Sequence, residues 1–349
     1  MRATVIHGAR DIRLEDAPDP TIQRPTDAIV QVTASCVCGS DLWPYRGVNQ
    51  VSKPRRIGHE FVGVVAEVGS SVSTLREGDF VIAPFVISCG TCVHCRNGIH
   101  TSCEIGSGWG SPDNDGVLAD GGQGEYVRVP LADGTLIATP SRPDDAAIPG
   151  LLTLSDVMGT GHHCAVAGKV GAGSTVVVVG DGAVGLCAVL AAHRLGAERI
   201  IAMSRHADRQ SVATAFGATD IVAERGDDGV ERVRELLGGI GADSVLECVG
   251  TKESMQQAID AVRPGGQVGY VGVPAGGPEL PIGQMFGDNI AVAGGVAPVR
   301  AYLDELLAAV LDGSIDPAPV FDLELPLEEV AEAYAAMDER RAIKVLLRP

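Results

Sequence analysis

Aromatic and basic residues are scarce in this sequence. Of its 349 residues, 4% are aromatic, and 27 lysines and arginines stand against 45 aspartates and glutamates, which gives a formal net charge of −18 at pH 7. Nucleic acids and anionic membranes bind proteins through basic patches, so we expect neither of them as a partner. The simplest role of the acidic excess is solubility.

Long apolar runs are also missing. No run approaches the length needed to span a membrane, and residues 1–7 lack the apolar segment of a signal peptide. We therefore expect a cytoplasmic protein, in which thiols stay reduced. Its nine cysteines should then be metal ligands or core residues and not a disulfide framework.

Two kinds of pattern divide the chain. Residues 1 to about 150 contain short β-branched runs at 28–33, 61–68 and 79–83, punctuated by Gly and Pro, which indicate an antiparallel sheet or barrel. From residue 174 onward, strand and helix patterns alternate, which predicts a doubly wound parallel sheet. The expected strands are 174–180, 199–204, 220–223, 242–249 and 267–273, and the expected helices are 181–196, 207–217, 227–237 and 253–262. In the tail, residues 299–349, the pattern predicts helices at 299–311 and 327–337 and a closing strand at 342–347. We expect this tail to return to the first domain.

Four cysteines lie within fifteen positions of one another: Cys89, Cys92, Cys95 and Cys103. In a reduced compartment this spacing predicts a closed, tetrahedral, all-thiolate zinc site. Such a site fixes a loop and does no chemistry, because it leaves no coordination position open. A redox role for the Cys92–Cys95 pair is the alternative.

A glycine-rich turn, Gly180-Asp-Gly182-Ala-Val-Gly185, follows a predicted strand and opens a predicted helix. In that context it is typical of a dinucleotide site. The first glycine permits the turn, the second lets the backbone approach a pyrophosphate, and the third lets helix and strand pack closely. The helix N-terminus stabilises the phosphate charge.

The end of the next predicted strand bears on which dinucleotide is bound. Proteins that bind NAD place an Asp or Glu there, on the ribose 2′-hydroxyl. This chain has Ser204 and Arg205 instead, with Arg209 one turn further on. A hydroxyl and guanidinium groups suit a 2′-phosphate, so the sequence favours NADP over NAD. A solvated arginine at a strand end is the alternative reading.

The stretch 36–60 holds the groups that a catalytic zinc needs. Cys38 and His59 supply sulfur and nitrogen ligands, Ser40 supplies a hydroxyl, and Asp41 and Glu60 supply carboxylates. A lone cysteine and histidine this far apart are weak indications, since a buried Cys also serves as a small apolar residue. The cysteine cluster and the glycine-rich turn strengthen the zinc interpretation.

Together these stretches resemble the zinc-dependent medium-chain alcohol dehydrogenase family over essentially the whole chain. Gly58-His59-Glu60 with Gly63, Gly69 and Val72 looks like the zinc signature of that family. The resemblance implies a GroES-like β-barrel catalytic domain formed by residues 1–151 and 296–349, with a structural zinc lobe at 89–103. It further implies a Rossmann coenzyme domain at 152–295. We expect two zinc ions per chain.

The resemblance also implies roles for single residues. Cys38 and His59 match the first two catalytic zinc ligands, and the position ahead of Thr160-Gly-His162-His163 places the third on Asp156, with His162 and His163 as competing ligands. Glu60 matches a carboxylate that can approach the metal, and Ser40 matches the hydroxyl that receives the alcohol proton. In the family, a histidine usually takes the proton onward from that hydroxyl, and in this chain the corresponding position holds Trp43. Further implied coenzyme contacts are Asp181, Val184, Val249, Gly250, Val271, Gly272 and Lys344.

The implied function is hydride transfer between an alcohol, or its aldehyde or ketone, and a nicotinamide cofactor, with zinc as Lewis acid. One rival is a formaldehyde dehydrogenase or dismutase with tightly held NAD. Another rival is a non-catalytic NADP-binding protein that retains the fold of the family. The family further implies a small-molecule substrate and a homodimer or homotetramer, with the region 289–295 pairing between subunits.

Overall fold

The computed structural model describes residues 1–274 and 279–349, and these residues separate into two compact units. One unit comprises Met1–Asp156 and Pro298–Pro349, and the other comprises Val157–Ala297. The boundaries expected from the sequence, at 151/152 and 295/296, fall a few residues ahead of both. Within the described residues, no helix has the length and apolar character that crossing a lipid bilayer requires.

The discontinuous unit is built around a seven-stranded, mostly antiparallel sheet. Numbered in chain order, its strands run β12 (Ile137–Ala138), β6 (Phe80–Ala83), β5 (Phe61–Val68), β3 (Ala28–Cys36), β20 (Val345–Arg348) and β19 (Leu323–Pro326), and β11 (Tyr126–Val129) also pairs with β3. Alternate residues such as Val30, Val32 and Val65 are at most 5% exposed and form the core of this sheet. Segments from both ends of the chain therefore contribute strands to this sheet.

Small sheets and short helices complete this unit. The sheets are β2 (Asp11–Asp16) with β1 (Arg2–Gly8) and β4 (Arg55–Arg56), β7 (Val86–Ile87) with β8 (Ser107–Gly108), and β9 (Ser111–Pro112) with β10 (Leu118–Ala119). The helices are α1 (Leu42–Tyr45), α2 (Val93–Arg96), α3 (Ala132–Thr135), α4 (Ile148–Thr153), α11 (Val299–Leu311) and α12 (Val330–Asp338). The helix expected at 327–337 starts as a 3₁₀ turn, Leu327–Glu329, before α12, and the strand expected at 342–347 is β20.

The second unit is a six-stranded, fully parallel sheet with helices between the strands. Its order is β15 (Asp220–Val222), β14 (Arg199–Met203), β13 (Thr175–Val179), β16 (Ala242–Glu247), β17 (Val262–Tyr270) and β18 (Ala291–Gly294). The helices are α5 (Val157–Ala167), α6 (Ala183–Arg194), α7 (Ala207–Ala215), α8 (Gly226–Leu236), α9 (Lys252–Ala261) and α10 (Ile282–Asp288). The strand order reverses between β13 and β16, which is the arrangement of a doubly wound dinucleotide fold.

Two features of this unit differ from the sequence-based expectation. Helix α5 was not predicted, because most of its residues are buried and it lacks the polar face that gives an amphipathic pattern. Strand β17 was expected at 267–273 and begins earlier, at Val262, which pairs with Ala242 before an irregularity in the register. The helix ahead of it, expected to end at Val262, therefore ends at Ala261.

Candidate active site

The pairing of β3 with β5 brings Cys38 and His59 together. Ser35 on β3 is registered with Phe61 on β5, so the residues just after β3 and just before β5 lie at the same end of the sheet. Cys38 caps a 3₁₀ turn, Gly39–Asp41, in which the Asp41 Oδ2 accepts the Cys38 backbone N–H at 3.0 Å. This turn fixes the direction of the Cys38 side chain.

Asp156 comes to the same place from the end of α4. The backbone carbonyl of Ser155 accepts the N–H of Phe85 at 3.0 Å, which ties this segment to the loop after β6. Asp156 Oδ2 then lies 3.8 Å from Cys38 Sγ and 3.7 Å from His59 Nε2. Three groups that are distant in the sequence therefore meet at one point of the discontinuous unit.

The geometry and chemistry of this cluster fit a zinc ion. Together with Glu60, the three predicted ligands form a group whose ligand atoms all lie within 4.8 Å of one another, and neither His162 nor His163 belongs to it among the described residues. Tetrahedral coordination at the usual Zn–S, Zn–N and Zn–O lengths separates sulfur or nitrogen from oxygen by about 3.4–3.6 Å. The observed 3.7 and 3.8 Å lie close to those values.

The electrostatics of the cluster also favour a cation. Burial opposes protonation of His59, but the charges of Asp41 and Cys38 outweigh it and raise the pKa of the imidazole well above 6.5. Burial and the Glu60 charge raise the pKa of the Cys38 thiol. The negative groups therefore draw positive charge to this point, which a metal ion supplies.

Behind His59 a chain of buried hydrogen bonds sets the ring orientation. Asp41 Oδ1 lies 3.3 Å from His59 Nδ1, so the opposite ring nitrogen faces Cys38 and Asp156. Gln123 donates to Asp41 Oδ2 at 3.3 Å and to the Cys36 carbonyl at 2.9 Å, and Tyr334 donates to Gln123 Oε1 at 3.0 Å. A carboxylate behind a ligating histidine fixes its tautomer and raises its basicity.

Glu60 is held by a buried lysine. The Lys344 ammonium lies 2.7 Å from Glu60 Oε1, with side-chain exposures of 1% and 0%, and also donates to the Val37 carbonyl at 3.3 Å. Burial works against the charge, but Cys36 and Glu60 outweigh it and raise the pKa of Lys344. Lys344 was expected as a coenzyme contact, and its ammonium contacts Glu60, the Val37 carbonyl and the Phe321 ring, whose centroid is 5.9 Å away.

The remaining residues around this cluster differ in exposure. Ser40 is exposed, and its Oγ lies 3.4 Å from His59 Nε2. Phe85 stacks edge-on to His59, with ring centroids 6.5 Å apart. Trp109 is 8% exposed, donates its indole N–H to the Pro84 carbonyl and packs on Phe61, so it belongs to the core. Trp43 is half-buried in the first turn of α1.

The four clustered cysteines also meet. Sγ–Sγ separations of 3.5 Å for Cys92–Cys95 and 4.0 Å for Cys89–Cys95 bracket the value of about 3.8 Å expected around tetrahedral zinc. Burial raises the pKa of Cys89, but backbone N–H donors from Thr91 and Cys92 outweigh it and lower that pKa to about 6. N–H groups aimed at sulfur stabilise thiolates, which is the form that binds metal.

In the second unit, the glycine-rich turn has the shape of a phosphate cradle. Gly180 has φ +118°, and a Cβ on Gly185 would lie 2.0 Å from the Gly180 carbonyl oxygen, so both positions require glycine. A Cβ on Gly182 would meet nothing within 4 Å, which leaves open space at the N-terminus of α6. Val184 is half-buried in the first turn of that helix. The open, positively polarised helix end suits a pyrophosphate.

The residues at the end of β14 contact this turn. Ser204 Oγ donates to Asp181 Oδ2 at 2.9 Å, and Arg209 Nη1 lies 3.3 Å from Asp181 Oδ1 and 3.2 Å from the Asp181 carbonyl. Arg205 is exposed and has no ion-pair partner within residues 1–274 and 279–349. Of the three residues expected to bind a 2′-phosphate, two are therefore engaged by a carboxylate.

A further loop is organised by Glu247, which was not predicted. The Glu247 Oε1 atom accepts the backbone N–H groups of Val249 and Gly250 at 2.9 and 2.7 Å. The backbone carbonyl of Glu247 accepts the N–H group of Val271 at 3.0 Å. A Cβ on Gly272 would lie 2.1 Å from the Gly250 nitrogen, so the two predicted coenzyme segments pack backbone to backbone. The sequence signal that could have identified Glu247 is an acidic residue at the end of an apolar, parallel strand.

The comparisons with known proteins agree with this fold. Residues 24–141 match the family of the alcohol dehydrogenase GroES-like domain, and residues 183–312 match the zinc-binding dehydrogenase family. A probable zinc-binding alcohol dehydrogenase of Mycobacterium tuberculosis is 36% identical over 352 residues, which cover 100% of this chain and 89% of that protein.

Solved structures give the same result. The alcohol dehydrogenase TADH from Thermus sp. ATN1 superimposes with a TM-score of 0.90 at 35% identity, covering 100% of this chain and 99% of that one. A structure described as an NAD-dependent alcohol dehydrogenase gives a TM-score of 0.85 at 28% identity, with 100% of both chains covered. The protein is thus an oxidoreductase of the zinc-binding dehydrogenase class. It belongs to the zinc-dependent medium-chain alcohol dehydrogenase family.

Proposed function

We propose that this chain transfers a hydride between an alcohol, or the corresponding aldehyde or ketone, and a nicotinamide dinucleotide at a zinc ion held by Cys38, His59 and Asp156. The observation that carries the proposal is the approach of these three donors, with Asp156 Oδ2 3.8 Å from the sulfur and 3.7 Å from the imidazole nitrogen. Three protein ligands leave a fourth position for substrate, which distinguishes a catalytic zinc site from a structural one.

Bound there, zinc supplies a Lewis acid that polarises a carbonyl and lowers the pKa of a hydroxyl. The residues around it supply orientation and proton transfer. Asp41 and Gln123 hold His59 in one tautomer. Ser40, exposed and 3.4 Å from His59 Nε2, is placed to accept the proton of a substrate hydroxyl. Because Trp43 cannot take a proton onward, we infer that the proton leaves Ser40 through water or the coenzyme ribose.

Glu60 acts on the site through its charge. Its carboxylate is within reach of the other ligand atoms and is neutralised by Lys344 at 2.7 Å. We infer that this ion pair keeps Glu60 from competing permanently with substrate for the open position, while leaving it available when ligands exchange.

We also propose a second zinc ion, bound by Cys89, Cys92, Cys95 and Cys103. Four thiolates close the coordination shell, so this ion stabilises its loop and takes no part in the reaction. The coenzyme occupies the turn 180–185, with contacts from the 249–250 and 271–272 segments. The sequence favours NADP, whereas the contacts of Asp181 favour NAD. A reduced, cytoplasmic setting is consistent with nine cysteines that form no disulfide.

The proposed assembly is a homodimer or homotetramer. Strand β18 forms an edge of the six-stranded sheet, and the apolar residues Ile282, Phe286 and Val296 on either side of it in the sequence are 63%, 86% and 67% exposed. An edge strand with exposed apolar neighbours favours pairing with a second copy. Light scattering on the purified protein distinguishes monomer, dimer and tetramer.

The substitution Cys38→Ser tests the proposed reaction. We expect wild-type protein to hold two zinc ions per chain and to reduce NAD or NADP in the presence of a primary, secondary or polyhydric alcohol. The variant should hold one zinc ion and lose turnover. Cys36→Ala is the matched control, since Cys36 is buried two residues away and is not a proposed ligand. Retained turnover in Cys38→Ser would overturn the ligand assignment.

The same assay separates the rival functions. Nicotinamide cofactor that survives gel filtration, with turnover of formaldehyde alone, would point to a dismutase. Two zinc ions with no alcohol-dependent change in nicotinamide absorbance across the whole alcohol series would point to a non-catalytic protein.

A further inference from the structure

The register of the parallel sheet places Asp181 beside the end of β14. Val179, the last residue of β13, is paired with Met203, the last residue of β14. The residues that follow the two strands therefore leave the sheet at the same edge. In a dinucleotide fold this edge holds the acid that binds the adenosine ribose, normally as the residue at the end of the second strand. Here that position is Ser204.

The Asp181 carboxylate reaches this position from the glycine-rich turn. It accepts the Ser204 hydroxyl at 2.9 Å through Oδ2 and faces Arg209 at 3.3 Å through Oδ1. Both partners are firmly placed, since Ser204 is 2% and Arg209 is 9% exposed, and Gln210 donates to the Ser204 carbonyl at 2.8 Å. The side chain of Asp181 is 11% exposed, so the carboxylate is not fully enclosed by its two partners.

We propose that Asp181 replaces the missing strand-end acid and makes this protein selective for NAD over NADP. The inference rests on the proposed function only in that the chain must bind a nicotinamide dinucleotide. The carboxylate accepts the ribose hydroxyls of NAD, in the same way as an acid at the end of the second strand. A ligand with a phosphate on the 2′-oxygen meets a carboxylate there instead of a free arginine.

The charges around the position explain the direction of the selectivity. A 2′-phosphate carries close to two negative charges near neutral pH, and a like charge at short range is unfavourable in a partly buried site. Arg209 is already neutralised by Asp181, and Ser204 directs its hydroxyl hydrogen to the same carboxylate. Arg205 remains as a counter-charge, but it is exposed and therefore screened by solvent.

Binding measurements test this inference without turnover. The probes are NADH and NADPH, followed by nicotinamide fluorescence, and the fragments 5′-AMP and adenosine 2′,5′-bisphosphate, followed by calorimetry. The wild-type protein should bind NADH at least about ten-fold more tightly than NADPH, the effect of one unfavourable charge contact. The fragments should show the same order, and they contain no nicotinamide.

The substitution Asp181→Asn removes the charge and keeps the shape. It should lower the NADH-to-NADPH affinity ratio by about ten-fold or more, since Arg209 becomes available to the phosphate. Asp208→Asn is the matched control, because Asp208 is an exposed acid in the first turn of α7 and the net charge changes equally. We expect its ratio to equal that of the wild type.

The outcomes separate this inference from the proposed function. Wild-type preference for NADPH, or an unchanged ratio in folded Asp181→Asn, would refute the role of Asp181 while leaving the dehydrogenase intact. Binding of neither coenzyme would refute both. If Asp181→Asn does not fold, the wild-type fragment affinities decide, since tighter binding of the bisphosphate contradicts the inference and tighter binding of 5′-AMP supports it.

Discussion

The substitution Lys344→Met tests whether the buried ion pair next to the proposed zinc site holds the discontinuous unit together. Lys344 and Glu60 join β20, near the chain end, to the start of β5, and their side chains are 1% and 0% exposed. Methionine replaces the aliphatic part of lysine with similar volume, so the change removes the charge and little packing. The Glu60 carboxylate is left buried without its ammonium partner.

The expected cost follows from that isolated carboxylate. Removing one partner of a buried ion pair destabilises a protein by about 3–5 kcal/mol, because the remaining charge is desolvated and uncompensated. In a unit of roughly 200 residues, each kcal/mol lowers the melting temperature by about 2–4 °C. We therefore expect a decrease of about 6–20 °C for this unit. The double variant Lys344→Met/Glu60→Gln should recover at least half of the loss, because no isolated charge remains.

Scanning calorimetry on the zinc-loaded protein measures these shifts. Lys252→Met is the matched control, because Lys252 pairs with Glu279 at 3.3 Å but both side chains are exposed, by 62% and 79%. That substitution should change the melting temperature by no more than about 2 °C. If Lys344→Met costs no more than Lys252→Met, the buried pair contributes no net stability and the reasoning fails.

Three further predictions concern the metal sites and pH. Asp41→Asn should weaken zinc binding at the His59 site by about 10–100-fold, as measured by chelator competition, and unchanged affinity would mean that the carboxylate does not orient the ring. Cys92→Ser should reduce the zinc content from two ions per chain to one and lower the melting temperature, whereas two retained ions would exclude a structural site there. Burial lowers the pKa of His163 below 6.5, so the unfolded chain binds more protons and stability falls as the pH drops through about 6.5. His163→Gln should weaken that pH dependence of the melting temperature and exposed His193→Gln should not, and equal slopes would contradict the burial effect.

Much of the coenzyme unit could be predicted from the sequence because its signals are local. A buried parallel strand is an unbroken apolar run, and the glycine-rich turn directly follows one of them, at Val179. Helix α5 escaped the same reasoning because it is buried around most of its circumference and has no amphipathic period. Boundaries such as that between α9 and β17 depend on strand register, which no local pattern contains.

For the site, the sequence predicted residue types better than contacts. Cys38, His59 and Asp156 were expected as ligands, and the structure brings their atoms together. The partners behind them were not predicted, because Gln123 and Tyr334 lie far away in the sequence and meet only through the sheet and α12. The contacts of Ser204 and Arg209 could not be derived from the strand end alone, since the carboxylate that engages them comes from the preceding turn.

X-ray diffraction at the zinc absorption edge, on crystals of the zinc-loaded protein, tests the central claim most directly. We predict two anomalous peaks per chain, one within bonding distance of Cys38 Sγ, His59 Nε2 and Asp156 and one among the four clustered cysteines. A chain with zinc only at the cysteine cluster, and no peak at Cys38, would contradict the account.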